Sequence, residues 1–209
     1  MSSSGSLSSP HSMSSSRTMS GVRAAIFGVL TLVGGGLFLY SWFQPWWNVF
    51  IVALKENGIT IFPYAMVIGG TLKDYPQLLE GADMPVWFFK AMWVYLGLAM
   101  AILVYSWFVI GERIRLGKFK LALPQLLVGF VGVSIIIFFV TFVIVVAVRA
   151  SGFYNAPLQG TVFVHTAEHE GNAESYVNTG LQIGFWMAVV AGTFLTALAV
   201  FHNKIVGKS

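Results

Sequence analysis

The stretch His165-Thr-Ala-Glu168-His169 is the part of this 209-residue chain whose residue types could do chemistry. It has the spacing H-x-x-E-H, which some zinc peptidases use. On a helix, His165 and His169 would lie on one side with Glu168 beside them. Two imidazoles and a carboxylate in that arrangement can bind a divalent metal. The stretch is therefore a candidate metal site.

The surroundings of this motif argue against a peptidase. Such enzymes need a third protein ligand from farther along the chain, and only Glu170 and Glu174 follow before the last apolar run. Gly171 and Asn172 would also interrupt a helix here. We expect a solvated acidic loop and no cofactor, with a structural or weak divalent-metal site at His165, Glu168 and His169 as the alternative.

The overall composition is that of a membrane protein. Hydrophobic residues make up 56% of the chain and charged residues 10%, with a mean hydropathy of +0.77, whereas soluble domains are about 25% charged. The chain has no cysteine, which excludes disulfides, thiolate metal ligands and cysteine nucleophiles. It also has no N-x-S/T glycosylation site. These two absences favour a prokaryotic cytoplasmic (inner) membrane.

Four long apolar runs predict four transmembrane helices. They cover approximately residues 22–43, 86–110, 121–148 and 180–201, and each has the roughly 20 residues needed to cross a bilayer. Backbone inside lipid must satisfy its own hydrogen bonds, so the runs must be helical. The predicted fold class is an all-α integral membrane protein with a four-helix bundle in residues 22–209.

Charge predicts the orientation of this bundle. Residues 1–21 are Ser-rich and predict a disordered tail. Eight of the twelve basic residues lie in the tail, in the 111–120 connection and at the C-terminus, whereas seven of the eight acidic residues lie in loops 44–85 and 149–179. By the positive-inside rule both termini are cytoplasmic and these two loops face outward.

The first outer loop is apolar enough to have structure of its own. Residues 46–54 and 59–70 are two apolar runs, each too short to span a membrane. Asn57-Gly58 between them is typical of a hairpin turn, whereas Pro63 disfavours a central strand. The loop is predicted to hold either short strands or an interfacial helix.

Tryptophans mark the end of the first predicted helix and the start of the second. Trp42, Trp46, Trp47 and Trp87 cluster there, which predicts an aromatic belt at the membrane interface. The order of a longer first outer loop with tryptophans, a short basic inner loop and a shorter second outer loop resembles claudin-type tetraspan proteins. The paired cysteines of that family are absent, so the resemblance implies a layout and no functional residues.

The predicted helices carry packing signals and few charges. Lys90 and Arg149 lie near helix ends, so no centrally placed ionisable group indicates a proton or ion pathway. The third helix is bulky and apolar all round, as expected where a helix faces lipid or an apolar partner. Small residues recur every fourth position in the last run, which allows close helix packing within the chain or between subunits; they are Gly180, Gly184, Ala188, Gly192 and Thr196.

These patterns predict a non-catalytic structural or accessory subunit of a larger membrane assembly. Its expected partners are lipid and other membrane subunits, contacted through loop 44–85 and the N-terminal tail, with no nucleic acid. One alternative is a subunit of a membrane oxidoreductase or oxygenase with an extracytoplasmic metal near His165 and His169. Another is a tetraspan protein that binds lipid or a hydrophobic ligand through its tryptophans.

Overall fold

Four long helices and seven short strands make up the described part of the chain. The computed structural model describes residues 14–53, 55–74, 86–110, 112–116, 119–152, 155–166 and 173–206. The helices are α1 (Ser14–Trp42), α2 (Val86–Phe108), α3 (Leu123–Gly152), α4 (Ile183–Val200) and the short α5 (His202–Ile205). The strands are β1 (Trp47–Ile51), β2 (Glu56–Phe62), β3 (Ala65–Ile68), β4 (Arg113–Leu116), β5 (Phe119–Ala122), β6 (Gly160–Thr166) and β7 (Ala173–Leu181).

Each of the four long helices is long and apolar enough to cross a membrane. The apolar segments contain 22, 23, 29 and 18 residues, so the shortest spans about 27 Å at 1.5 Å per residue. In the bundle, α1 packs against α2 and α4, and α3 packs against the same two helices. The prediction of four membrane-spanning helices is therefore supported by their length and composition.

The segments between the helices make the fold more than an all-α bundle. Strands β1 to β3 from the first predicted outer loop join β6 and β7 from the second in one antiparallel sheet, in the order β3-β2-β1-β7-β6. The all-α prediction thus describes the bundle alone. Of the two structures expected for residues 44–85, the strands form, because their β-branched and aromatic residues suit a half-buried sheet.

Two boundaries in this sheet differ from the sequence prediction. The β1–β2 turn comes before Asn57-Gly58, which lies inside β2, and Lys55 takes the left-handed conformation with φ 52°. Helix α4 begins at Ile183 rather than near 180, because Gly180 pairs with Asn48 as part of β7. Ladder hydrogen bonds to β1 thus decide where the last helix starts.

The core divides into two layers. One lies within the bundle and includes Phe27, Phe38, Val131 and Leu195. The other lies between the inner face of the sheet and the nearby ends of α3 and α4; it includes Val49, Ile59, Ile61, Phe142, Val146, Val177 and Phe185. We call this end of the molecule the sheet end and the end that carries β4 and β5 the hairpin end.

Candidate interaction surface

Trp46 joins the sheet to the bundle. It lies between α1 and β1, is fully buried, and donates its indole N–H to the carbonyl of Ser41 over 2.9 Å. Its ring centroid lies 5.1 Å from that of Phe142 and 5.4 Å from that of Phe138, both on α3. A buried indole with its N–H satisfied is a strong anchor. The sheet is thereby fixed on the helix ends.

The first turn of α4 is fixed at the same place by backbone contacts. The amide of Gln182 donates to the carbonyl of Trp46 over 2.8 Å, and that of Gly184 donates to the carbonyl of Pro45 over 3.0 Å. A Cβ atom at Gly184 would lie 2.7 Å from the carbonyl oxygens of both Gln44 and Pro45. Such a contact is closer than real Cβ atoms make, so this position requires glycine.

Trp47 holds the segment before β6 beneath the sheet. It is 3% exposed and donates its indole N–H to the carbonyl of Leu158 over 2.7 Å. The hydroxyl of Thr179 on β7 donates to the neighbouring carbonyl of Pro157 over 2.6 Å. The first bond links the segment that precedes β6 to β1, and the second links it to β7, so both strands hold this segment against the sheet.

The other two tryptophans of the predicted aromatic belt, Trp42 and Trp87, have different surroundings. Trp42 is fully buried, and its ring lies 6.2 Å from that of Tyr95 and 6.3 Å from that of Phe138. Trp87, at the start of α2, is 68% exposed. An interfacial belt needs rings that reach the headgroups. Of the four predicted belt residues, three are enclosed by protein and only Trp87 has the exposure that a belt requires.

The small-residue stripe packs mainly within the chain. Ala188 and Gly192 are buried on α4, and Thr196 donates its hydroxyl to the carbonyl of Gly192 over 2.8 Å. A Cβ atom at Gly132 on α3 would lie 2.6 Å from the backbone nitrogen of Thr196. Helices α3 and α4 therefore approach closely along this stripe, whereas Gly180 belongs to β7. Helix α3 thus contacts α4 on one side, and on its other side Phe130, Ile137 and Val148 are exposed.

Only the first two residues of the stretch from His165 to His169 lie within the described part of the chain. Its first residue, His165, is in β6 and pairs in register with Glu174 of β7. Glu168 and His169 lie outside the described residues. Within the described residues, no group of three or more His, Asp or Glu side chains could hold a metal ion. The structure thus assigns the start of the motif to a hairpin and leaves the predicted metal site untested.

The outward face of the sheet carries a polar half and an aromatic half. The side-chain amide of Gln182 donates to the side-chain oxygen of Asn48 over 2.6 Å. The side-chain amide of Asn48 in turn donates to the side-chain oxygen of Asn57 over 3.3 Å. On the other side of the sheet, Phe163 and Tyr176 form a register pair with ring centroids 4.9 Å apart. Phe163 is 39% exposed and Tyr176 is 55% exposed.

This exposed aromatic pair is a candidate interaction feature that sequence reasoning missed. The sequence signal was alternation: Val162 and Val177 are a register pair on the inner face, so their neighbours Phe163 and Tyr176 must lie on the other face. No known protein family and no curated protein matches the chain. The function must therefore be argued from the surfaces of the molecule.

The bundle interior offers packing and one polar contact between helices α2 and α3. The hydroxyl groups of Tyr95 and Ser134 lie 3.0 Å apart. The charged residues of the spans, Arg23, Lys90 and Arg149, are exposed. His202 is buried at the hairpin end, with its ring edge-on to Phe27 at 4.7 Å. These contacts stabilise the bundle, and none places a charged group at its centre.

Proposed function

We propose that the protein is a non-catalytic structural or accessory subunit of a larger membrane assembly. The single observation that carries this proposal is the exposed pair Phe163 and Tyr176 on the outward face of the sheet. Interfaces are enriched in aromatic residues, because these bury a large area at a low entropy cost. The partner is another membrane subunit, since the sheet rests directly on the ends of the membrane helices.

The distribution of the tryptophans supports this role over a ligand-binding role. Of the four tryptophans predicted to form the aromatic belt, all but Trp87 are enclosed by protein. Trp46 and Trp47 also have their indole N–H groups bonded to backbone carbonyls. They hold the sheet in place rather than lining an open site. The sheet is thereby a rigid platform, which lowers the entropy cost of binding a partner.

The orientation in this proposal places the sheet outside and both termini in the cytoplasm of a prokaryotic cell. The hairpin end holds most of the basic residues, which supports this assignment. Because the chain has no cysteine, Lys73→Cys and Lys204→Cys each introduce a single exposed thiol. In intact cells an impermeant thiol reagent should label position 73 and should label position 204 only after permeabilisation. The opposite pattern would reverse the orientation.

The partner is tested by native mass measurement of the complex extracted from its own cells in mild detergent. We expect a stoichiometric complex whose mass is not a whole-number multiple of the 22.9 kDa chain and therefore includes a second kind of subunit. Replacing Phe163 and Tyr176 with Ser should dissociate it. The matched control is Phe201→Ser, which changes an aromatic residue of 48% exposure at the other end of the bundle.

Two results would contradict the proposal. One is that the wild-type protein, extracted in mild detergent, has no second kind of subunit bound to it. The other is a complex that persists equally in the double variant and in the Phe201→Ser control, since the exposed pair would then have no role in assembly. An assembly made only of copies of this chain belongs to the first case.

A further inference from the structure

The connection between α2 and α3 is an amphipathic β-hairpin. Strands β4 and β5 pair antiparallel, with Arg115 opposite Lys120 and Leu116 opposite Phe119. Successive positions of a strand alternate between its two faces. One face of the hairpin therefore holds the positions of Arg113, Arg115, Lys120 and Ala122, and the other holds those of Ile114, Leu116, Phe119 and Leu121.

This hairpin is attached to the spans almost without a linker. Strand β5 ends at Ala122 and α3 begins at Leu123. The amide of Leu123 donates to the carbonyl of Glu112 over 3.0 Å, and the amide of Glu112 donates to the carbonyl of Val109 over 2.9 Å. These bonds close the base of the hairpin at the helix ends. Since strands of four residues extend only about 14 Å, β4 and β5 stay close to the ends of α2 and α3.

The charge at this end of the bundle is strongly positive. Four basic residues lie between positions 113 and 120, and Glu112 is the one acidic residue at the hairpin end of the sequence. The other described basic residues at this end are Arg17, Arg23 and Lys204. Arginine matches phosphate with two parallel hydrogen bonds, and an anionic leaflet attracts basic residues that lie near its surface.

We propose that the β4–β5 hairpin binds the headgroups of anionic phospholipids in the adjacent leaflet. Its apolar face lies at the boundary between headgroups and acyl chains, and its basic face lies at the level of the phosphates. An acidic protein would account for the basic face alone. The membrane interface supplies an apolar and an anionic environment within the width of one hairpin, so it accounts for both faces.

The test measures lipid selectivity of the full chain in phosphatidylcholine nanodiscs that contain a minority of phosphatidylglycerol. Electron spin resonance compares spin-labelled phosphatidylglycerol with spin-labelled phosphatidylcholine. The wild type should associate preferentially with phosphatidylglycerol. The variant Arg113→Gln, Arg115→Gln and Lys120→Gln should lose this preference, so that both lipids associate equally.

A matched control removes three charges at the opposite end. The variant Lys55→Gln, Lys73→Gln and Lys90→Gln has the same net charge, all three positions are exposed, and it should keep the preference. A second variant, Leu116→Gln with Phe119→Gln, keeps every charge and should weaken the preference several-fold, because it removes a register pair from the apolar face.

Two further experiments use the wild type, so their results do not depend on whether a variant folds. Added salt should weaken the preference, since exposed charges are screened, whereas inorganic phosphate at matched ionic strength should have no further effect. The proposal is overturned by a wild type without preference for phosphatidylglycerol, by a preference that salt does not change, or by equal loss in the three-charge variant and its control. Displacement by free phosphate would instead identify a soluble-anion site and would also overturn it.

Discussion

The close approach of α3 and α4 gives the sharpest prediction, which concerns Gly132→Ala. A Cβ atom at this position would lie 2.6 Å from both the backbone nitrogen and the hydroxyl oxygen of Thr196, and 3.1 Å from the carbonyl oxygen of Gly192. Backbone atoms of a packed helix cannot rotate away, so the two helices must separate. Gly97 on α2 is the matched control, because a Cβ atom there meets nothing within 4 Å.

The expected size of the effect follows from two opposing terms. Replacing glycine with alanine inside a helix stabilises it by up to about 1 kcal/mol, and this gain is common to both variants. Overpacking costs about 1–3 kcal/mol and applies to position 132 only. The two variants should therefore differ by about 1–3 kcal/mol, which is roughly 2–12 °C in thermal midpoint for a chain of this size.

The assay is thermal unfolding in one mild detergent, followed by tryptophan fluorescence and by the surviving monodisperse peak in size exclusion. Gly97→Ala should melt at or above the wild-type midpoint and Gly132→Ala below it. Adding Thr196→Ala should restore part of the loss, because it removes the hydroxyl contact and leaves the contact with the backbone nitrogen. Equal midpoints for Gly132→Ala and Gly97→Ala would refute the close approach of these helices.

Two further predictions concern the sheet end. Trp47→Phe should lower the free energy of unfolding by about 1 kcal/mol, because the part-buried hydrogen bond from its indole N–H to the carbonyl of Leu158 is lost. Trp87→Phe, a control at a residue that is 68% exposed, should change the denaturation midpoint little, and equal effects would contradict the role of Trp47. Purified protein should hold no stoichiometric zinc or copper by elemental analysis, and replacing His165 and His169 with Ala should leave the thermal midpoint unchanged with or without chelator. A metal-to-protein ratio near one that is lost in this variant would favour the oxidoreductase alternative.

The sequence by itself determined the number and the approximate bounds of the long helices. In lipid, a run of about 20 apolar residues forms a helix, because a helix satisfies all the backbone hydrogen bonds within the segment itself. For the same reason α2 spans Val86–Phe108, close to the predicted 86–110. The small-residue stripe of α4 was also visible, because its spacing of four follows from helix geometry alone.

Only the tertiary structure decided what the stripe and the tryptophans contact. Spacing shows which residues share a face, but it does not show which neighbour covers that face. Gly192 lies against Ile135 of α3, and Trp46 is enclosed by rings of α3 and α4. Both contacts join positions more than 30 residues apart in the sequence.

The pairing of the segments that form the five-stranded sheet was likewise decided in three dimensions. A strand can pair with any other strand of suitable pattern, and local sequence does not select its partner. Here β1 pairs with both β2 and β7, so residues expected to form a solvated loop became part of a sheet. The adjacent strands β6 and β7 pair Phe163 with Tyr176, and the β1–β7 pairing joins these two strands to the rest of the sheet. The inner face of the sheet packs on the helix ends, so only the folded chain decides that this aromatic pair lies on the outward face.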